Sequence, residues 1–342
     1  MKEKFNSIDL FKFLMAIVVV VFHTNPFVHC ESTLVNQIVI GIADISVPFF
    51  FMASGYLLAV RWGDTRQQKE KCIQKTLYST VCLYAVWTLL SLPLTIYGYV
   101  TSDNNIVNCI FSYIKYFFFV GRLYNSYHLW YLLAMIYALL AMWILIHHGK
   151  STSYLLMTGA FFYLIYLVFA WIRRGEDVSG LLAGAGRAFD FVFNNGGVFT
   201  GLLYMSIGIF FREHRRLNMP VGAAGIVAGI LIKYGLSQEM GNILAAVMFF
   251  ALVLNIRLRD SKGYILLRNL SKYIYLLHLL CFSLYTVVII RQPNKLGVDS
   301  FIATFAMAVL FSAAIIYGKE LIKIKKKSSK SGTVMETVEM RL

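Results

Sequence analysis

Apolar residues gather in runs long enough to cross a bilayer, parted by short polar or basic stretches. A spanning helix needs about 20 largely apolar residues. Ten stretches meet or approach that length, at 8–28, 38–60, 77–99, 127–147, 153–172, 197–211, 219–236, 240–256, 264–290 and 298–318. The sixth is the shortest. A further apolar stretch, Ile106–Val120, has fifteen residues and suits an interfacial or re-entrant helix better than a crossing one. The pattern predicts an all-α polytopic bundle of about ten transmembrane helices over residues 1–322. From Lys323 to Leu342 the chain turns basic and then polar, so a disordered tail and no attached soluble domain are expected.

Composition agrees with the pattern. Hydrophobic residues make up 58% of the 342 and charged residues only 14%, where a soluble domain carries about a quarter. The formal net charge of +15 then concerns topology and anionic headgroups rather than nucleic acid. Cys30, Cys72, Cys82, Cys109 and Cys281 are scattered, which points to neither a metal site nor a disulfide framework. The first run superficially resembles a signal peptide. Asp9 and Lys12 break its start and no A-x-A site follows, so it reads as a retained first span.

Charge sets the orientation. With the N-terminus inside, twenty basic residues fall in cytoplasmic segments, among them Arg61, Arg66, Lys69, Lys71, Lys75, Arg257, Arg259 and the tail lysines. Seven fall outside: Lys115, Arg122, Arg173, Arg174, Arg187, Arg291 and Lys295. Positive charge favours the cytoplasmic side. Both termini are therefore expected in the cytoplasm, with the chain in the plasma or inner membrane.

Several polar residues sit where lipid should exclude them. Lys12 and His23 are eleven steps apart in the first span, with Asp9 just before it. At about 100° and 1.5 Å per residue they share one helix face, roughly 16 Å apart. A lysine there can also snorkel to the headgroups, and a histidine can be structural. The pair on one face favours function, because ionisable groups within a span usually face a cavity or a partner. Asp44 lies toward the outer end of the second span, before Pro48, which should kink the helix. Ser54 and Gly55 read as packing residues, the glycine allowing close backbone approach. Arg61 closes that span, and Lys71 and Lys75 form an i,i+4 pair of like charge. A solvated face is the plainer reading of that pair; a bound anion is the other. His128 and Trp130 stand at the outer interface, where aromatic residues collect. Depth counted along the ninth span puts His278 near mid-membrane, one turn after Tyr275, with His23 and His128 in the outer half.

These residues carry a resemblance. Lys12 to His23 within SIDLFKFLMAIVVVVFH, VPFFFMASGYLLA (Val47–Ala59), the basic pair Lys71 and Lys75, HLWYL (His128–Leu132) and SKYIYLLH (Ser271–His278) together resemble the acyltransferase-3 membrane family, from Ser7 to about Tyr317. Lysines stand at 12, 71 and 75 where family members more often carry arginine; the charge is kept without the planar two-pronged grip. The resemblance implies transfer of an acyl group, usually acetyl, from cytoplasmic acyl-CoA to a hydroxyl of a cell-surface carbohydrate or glycolipid. Acetyl-CoA is the implied co-substrate, and no metal is implied. His23, Lys12, Asp9 and His278 would be the catalytic residues, and Arg61, Lys71 and Lys75 would meet the CoA phosphates. Asp44, His128 and Trp130 would meet the acceptor. The phrases VPFFFMASGY, HLWYLLAMIYALL and NNGGVFTGLLYMSIGIF are also similar to the membrane half of vancomycin-resistance serine racemases. That branch implies L-serine uptake; its racemase domain has no counterpart here. No H-x4-D motif, P-loop or G-x-S-x-G elbow occurs.

Overall fold

The computed structural model describes residues 5–101, 105–174, 180–193, 197–214 and 218–324. All ten expected stretches form helices, and no strand occurs among the described residues. In chain order the helices are α1 (Asn6–Thr24), α2 (Thr33–Arg61), α3 (Arg66–Val100), α4 (Ile106–Lys115), α5 (Trp130–His147) and α6 (Thr152–Arg174). They continue with α7 (Gly180–Phe193), α8 (Gly201–Glu213), α9 (Met219–Gly235), α10 (Gln238–Asn255), α11 (Gly263–Ser283) and α12, whose membrane-crossing part is Val298–Ile324. Eight described helices have the length and apolar composition to cross a membrane. The expectation of a disordered tail falls, beyond Ile324, on residues outside those described.

Element boundaries follow local chemistry. α3 starts eleven residues before the apolar run at 77 because Thr65 and Gln68 form a capping box: the Thr65 hydroxyl accepts from the Gln68 amide, and the Gln68 side chain accepts from the Thr65 amide. Lys71 and Lys75 consequently lie on one helical face, both exposed. α2 runs unbroken through Pro48. α4 buries none of its ten residues, as an interfacial helix would. It passes into a π turn, Tyr116–Val120, held where the Tyr84 hydroxyl donates to the Phe117 carbonyl at 2.7 Å. α7 has no counterpart among the expected elements. Its fourteen residues include Gly180, Gly184, Gly186 and Arg187, too short and interrupted for a spanning pattern. It packs on α6 through Phe189 against Phe169, ring centroids 3.9 Å apart, and through the Arg173–Asp190 ion pair at 2.8 Å.

α8 lies at the centre, packed on α2, α5 and α6. Its thirteen residues reach about 20 Å, short of a hydrocarbon core about 30 Å thick. Backbone that stops being helical at membrane depth survives only inside protein. α8 meets that condition: Gly201 to Ser206 are all buried, and the preceding turn, Gly197–Phe199, is tied by the Thr200 hydroxyl donating to the Gly197 carbonyl at 2.8 Å. Two glycines let α2 and α8 touch backbone to backbone. A Cβ on Gly55 would stand 2.0 Å from the Met205 carbonyl oxygen, and one on Gly208 would stand 2.0 Å from that of Met52. Phe49, Phe50, Phe51, Met52 and Tyr56 fill the core around this crossing.

Gly208→Ala should therefore force the two helices apart, destabilising the protein by about 3 kcal/mol, the upper end of overpacking effects. Gly184→Ala on α7, where an added Cβ meets nothing within 4 Å, is the control. Thermal unfolding in detergent should show a lowered midpoint for the first variant and none for the second.

Candidate functional site

Three histidines from three helices meet in the bundle. His23 lies in the last turn of α1, His278 on α11, and His128 in the 3-10 turn Tyr127–Leu129 that leads into α5. The His23 and His278 rings stack, centroids 5.1 Å apart and planes 24° apart; His128 meets His278 edge-on at 4.9 Å. The three imidazoles thus share one level, which corrects the different depths read from the sequence. α11 and its π extension run 27 residues, Gly263–Ile289, more than a crossing needs, so position along the helix does not give depth.

Backbone carbonyls orient two of the rings. His278 Nδ1 lies 2.6 Å from the Tyr275 carbonyl, and His128 Nε2 lies 3.2 Å from that of Leu276. A carbonyl oxygen only accepts, so each of those nitrogens carries the proton. That leaves His278 Nε2 and His128 Nδ1 as bare acceptors, both buried and without a partner. Tyr275 closes the arrangement by donating its hydroxyl to the His128 carbonyl at 2.9 Å. Ser54 does what its packing role predicts, donating to the Phe50 carbonyl at 2.8 Å, and it also meets the Tyr131 hydroxyl at 3.1 Å.

His23 and His128 open onto a cavity of about 620 Å³, while His278 stands behind them. Trp130 and Asp44 line the same cavity. Asp44 is not a lone charge there. Lys233 of α9 pairs with it at 2.8 Å, and the Asn242 amide of α10 donates to it at 3.2 Å. The sequence reading missed Lys233, although a lysine within an apolar run and an aspartate within another are a natural pair. It also counted Arg122 only as a loop charge and did not single out Glu239; both line the cavity, Arg122 with its guanidinium 5.7 Å from the Trp130 ring centroid.

The opposite end of α1 is basic. Asp9 and Lys12 face α11, where Arg268 approaches the Asp9 carboxylate at 3.8 Å. The charges of Arg268, Lys272 and Arg61 bear on Lys12 from α11 and α2. α1 thus presents Lys12 and His23 to the same neighbour, α11, in keeping with one shared face. Arg61, whose Nε donates to the Leu57 carbonyl at 2.9 Å, and Lys75 both bear on Cys72 of α3. Lys71 is exposed one turn before Lys75.

Breaking the Asp44–Lys233 pair should be expensive because a charge is left in the membrane without its partner. Lys233→Met alone should lower stability by about 3 kcal/mol, and the double variant Asp44→Leu with Lys233→Met should recover most of that loss. A double-mutant cycle read by thermal unfolding checks it; equal effects for single and double variants would contradict the pairing.

Residues 5–317 match the acyltransferase-3 family model, described as an acyltransferase domain. Among known proteins the chain is similar to an amino-acid racemase of Enterococcus faecalis, 35% identical over 169 residues, covering 46% of this chain and 22% of that protein. It is similar to a second amino-acid racemase of the same organism, 30% identical over 226 residues, covering 64% and 31%. A serine/alanine racemase of Enterococcus gallinarum matches at 28% identity over 303 residues, covering 81% and 40%. The chain thus spans two fifths or less of the length of these relatives. No solved structure matches. With the family pattern running through nearly all of the helical bundle, from the basic end of α1 to α12, the chain belongs to the acyltransferase-3 family of membrane proteins.

Proposed function

We propose that the protein is a membrane O-acyltransferase, carrying an acetyl group from cytoplasmic acetyl-CoA to a hydroxyl of a cell-surface carbohydrate or glycolipid. The observation that carries this reading is the shared face of α1: its Lys12 end lies among cations and its His23 end opens onto the cavity. The charge count of the sequence, twenty basic residues against seven, favours a cytoplasmic Lys12 end. Arg61, Lys71 and Lys75 meet the CoA phosphates there. The roughly 16 Å from Lys12 to His23 suits an extended pantetheine arm.

At the far end the acceptor hydroxyl gives its proton to the His23 imidazole and attacks the thioester carbonyl. The C–S bond breaks, the acetyl group goes to oxygen, and the CoA thiolate leaves with the proton returned to it. His278, its tautomer held by the Tyr275 carbonyl, buttresses the His23 ring. Asp9 balances part of the charge around Lys12. Asp44, His128 and Trp130 hold the acceptor in the cavity.

A second reading is membrane uptake of L-serine on behalf of a separate racemase. It is favoured by the names of the relatives and by a cavity whose wall carries both Arg122 and the carboxylates of Asp44 and Glu239, suited to a zwitterion. Calorimetry of the detergent-purified protein with acetyl-CoA and with L-serine separates the two. Each charge-assisted contact contributes about 1.5–3 kcal/mol, so Lys71→Glu with Lys75→Glu should weaken acetyl-CoA binding on the order of a hundredfold. Serine binding indifferent to these changes, with no acetyl-CoA binding by the wild type, would replace the enzyme with the carrier.

A further inference from the structure

The cationic end of α1 holds more positive charge than its own helix supplies. Asp9 and Lys12 are one turn apart on α1, and Arg268 and Lys272 are one turn apart on α11, on the two surfaces that pack against each other. Four cations gather here, Lys12, Arg61, Arg268 and Lys272, and one of the groups that bear on Lys12 is a carboxylate, Asp9. Lys12 itself takes part in no ion pair or hydrogen bond among the described residues. Arg268 reaches Asp9 only at 3.8 Å, beyond hydrogen-bond length, and its side chain stays 50% exposed. Lys272 is exposed as well, its ammonium 5.6 Å from the centroid of the Tyr273 ring. Like charges this close repel, and the repulsion falls when an anion enters between them. A loose pair with an exposed guanidinium is one that an incoming anion can displace.

We infer that Arg268 and Lys272 of α11, together with Lys12, form a binding subsite for phosphate groups, which the Asp9 carboxylate fills when no phosphate is bound. The inference rests on the acyltransferase reading for its natural ligand, the phosphates of an acyl-CoA. It adds to Arg61, Lys71 and Lys75 a second wall on α11, so that the nucleotide end of the donor lies between α3 and α11 with Lys12 at the inner edge. An anionic lipid headgroup presents the same chemistry. Arg268 suits the two-pronged grip on a phosphate that the lysines at 12, 71 and 75 lack.

Asp9 makes the inference testable in both directions. The full-length protein is titrated with acetyl-CoA, adenosine 3′,5′-bisphosphate and acetyl-pantetheine, which has no phosphate. Titrations run in detergent and in nanodiscs with and without phosphatidylglycerol. Arg268→Gln with Lys272→Gln should weaken the two phosphate ligands about tenfold for each charge removed and leave acetyl-pantetheine unchanged. Asp9→Asn should tighten the phosphate ligands about fivefold, a gain that a misfolded protein cannot give. Competition by phosphatidylglycerol that disappears in the glutamine variant supports the subsite with a headgroup as a rival occupant. Wild-type phosphate binding untouched by all these changes overturns the inference and leaves the acyltransferase reading intact. Absence of nucleotide binding by the wild type contradicts the acyltransferase reading instead. The subsite then stands only if phosphatidylglycerol retained by the protein, counted by native mass spectrometry, falls in the glutamine variant, and it is overturned if the count is unchanged.

Discussion

The packing of α1 against α11 is the contact on which the site depends. Inside a bilayer no water satisfies an imidazole, a carboxylate or an ammonium, so such groups survive only against one another. α1 carries Asp9, Lys12 and His23, and α11 meets them with Arg268, Lys272 and His278. One seam between two helices thereby holds a charged end and an imidazole end, about 16 Å apart by helix rise. Between those two ends the buried face of α1 is apolar, built of Met15, Ala16, Val19 and Val20.

The rest of the bundle keeps this seam in place. α8 is shorter than a hydrocarbon core is thick and is enclosed by α2, α5 and α6, with backbone contact at Gly55 and Gly208. α2 in turn carries Asp44, which draws Lys233 and Asn242 of the α9–α10 hairpin to the cavity wall. His128 is fixed by two reciprocal hydrogen bonds with α11, its ring to the Leu276 carbonyl and its own carbonyl from Tyr275. The polar groups that line the cavity thus come from several helices, His23 from α1, Asp44 from α2, and Glu239 and Asn242 from α10.

Much of this was legible in the sequence, for identifiable reasons. Runs of about 20 apolar residues reveal spanning helices because the bilayer sets their length, and all ten stretches became helices. The common face of Lys12 and His23 follows from helical periodicity alone, and so does the Lys71–Lys75 pair once α3 is helical there. Hydropathy could not show where α3 begins, since its first turns are polar and held by the Thr65–Gln68 cap. It could not show α7, whose glycines and Arg187 break the apolar run. Nor could it pair Asp44 with Lys233, 189 residues apart, or bring His278 level with His23, because neither relation has a period along the chain. Local chemistry was readable; the meeting of distant helices was not.

His23 carries the central claim, standing where the α1–α11 seam opens into the cavity. The direct measurement is transfer of radiolabelled acetyl from acetyl-CoA to the carbohydrate and lipid fraction of washed membranes bearing the full-length protein, wild type beside His23→Ala. General-base assistance supplies about 10²–10⁴-fold in rate. Label should accumulate with the wild type and fall by a hundredfold or more with the variant at equal amounts of folded, inserted protein. Transfer by His23→Ala at near the wild-type rate would contradict the account.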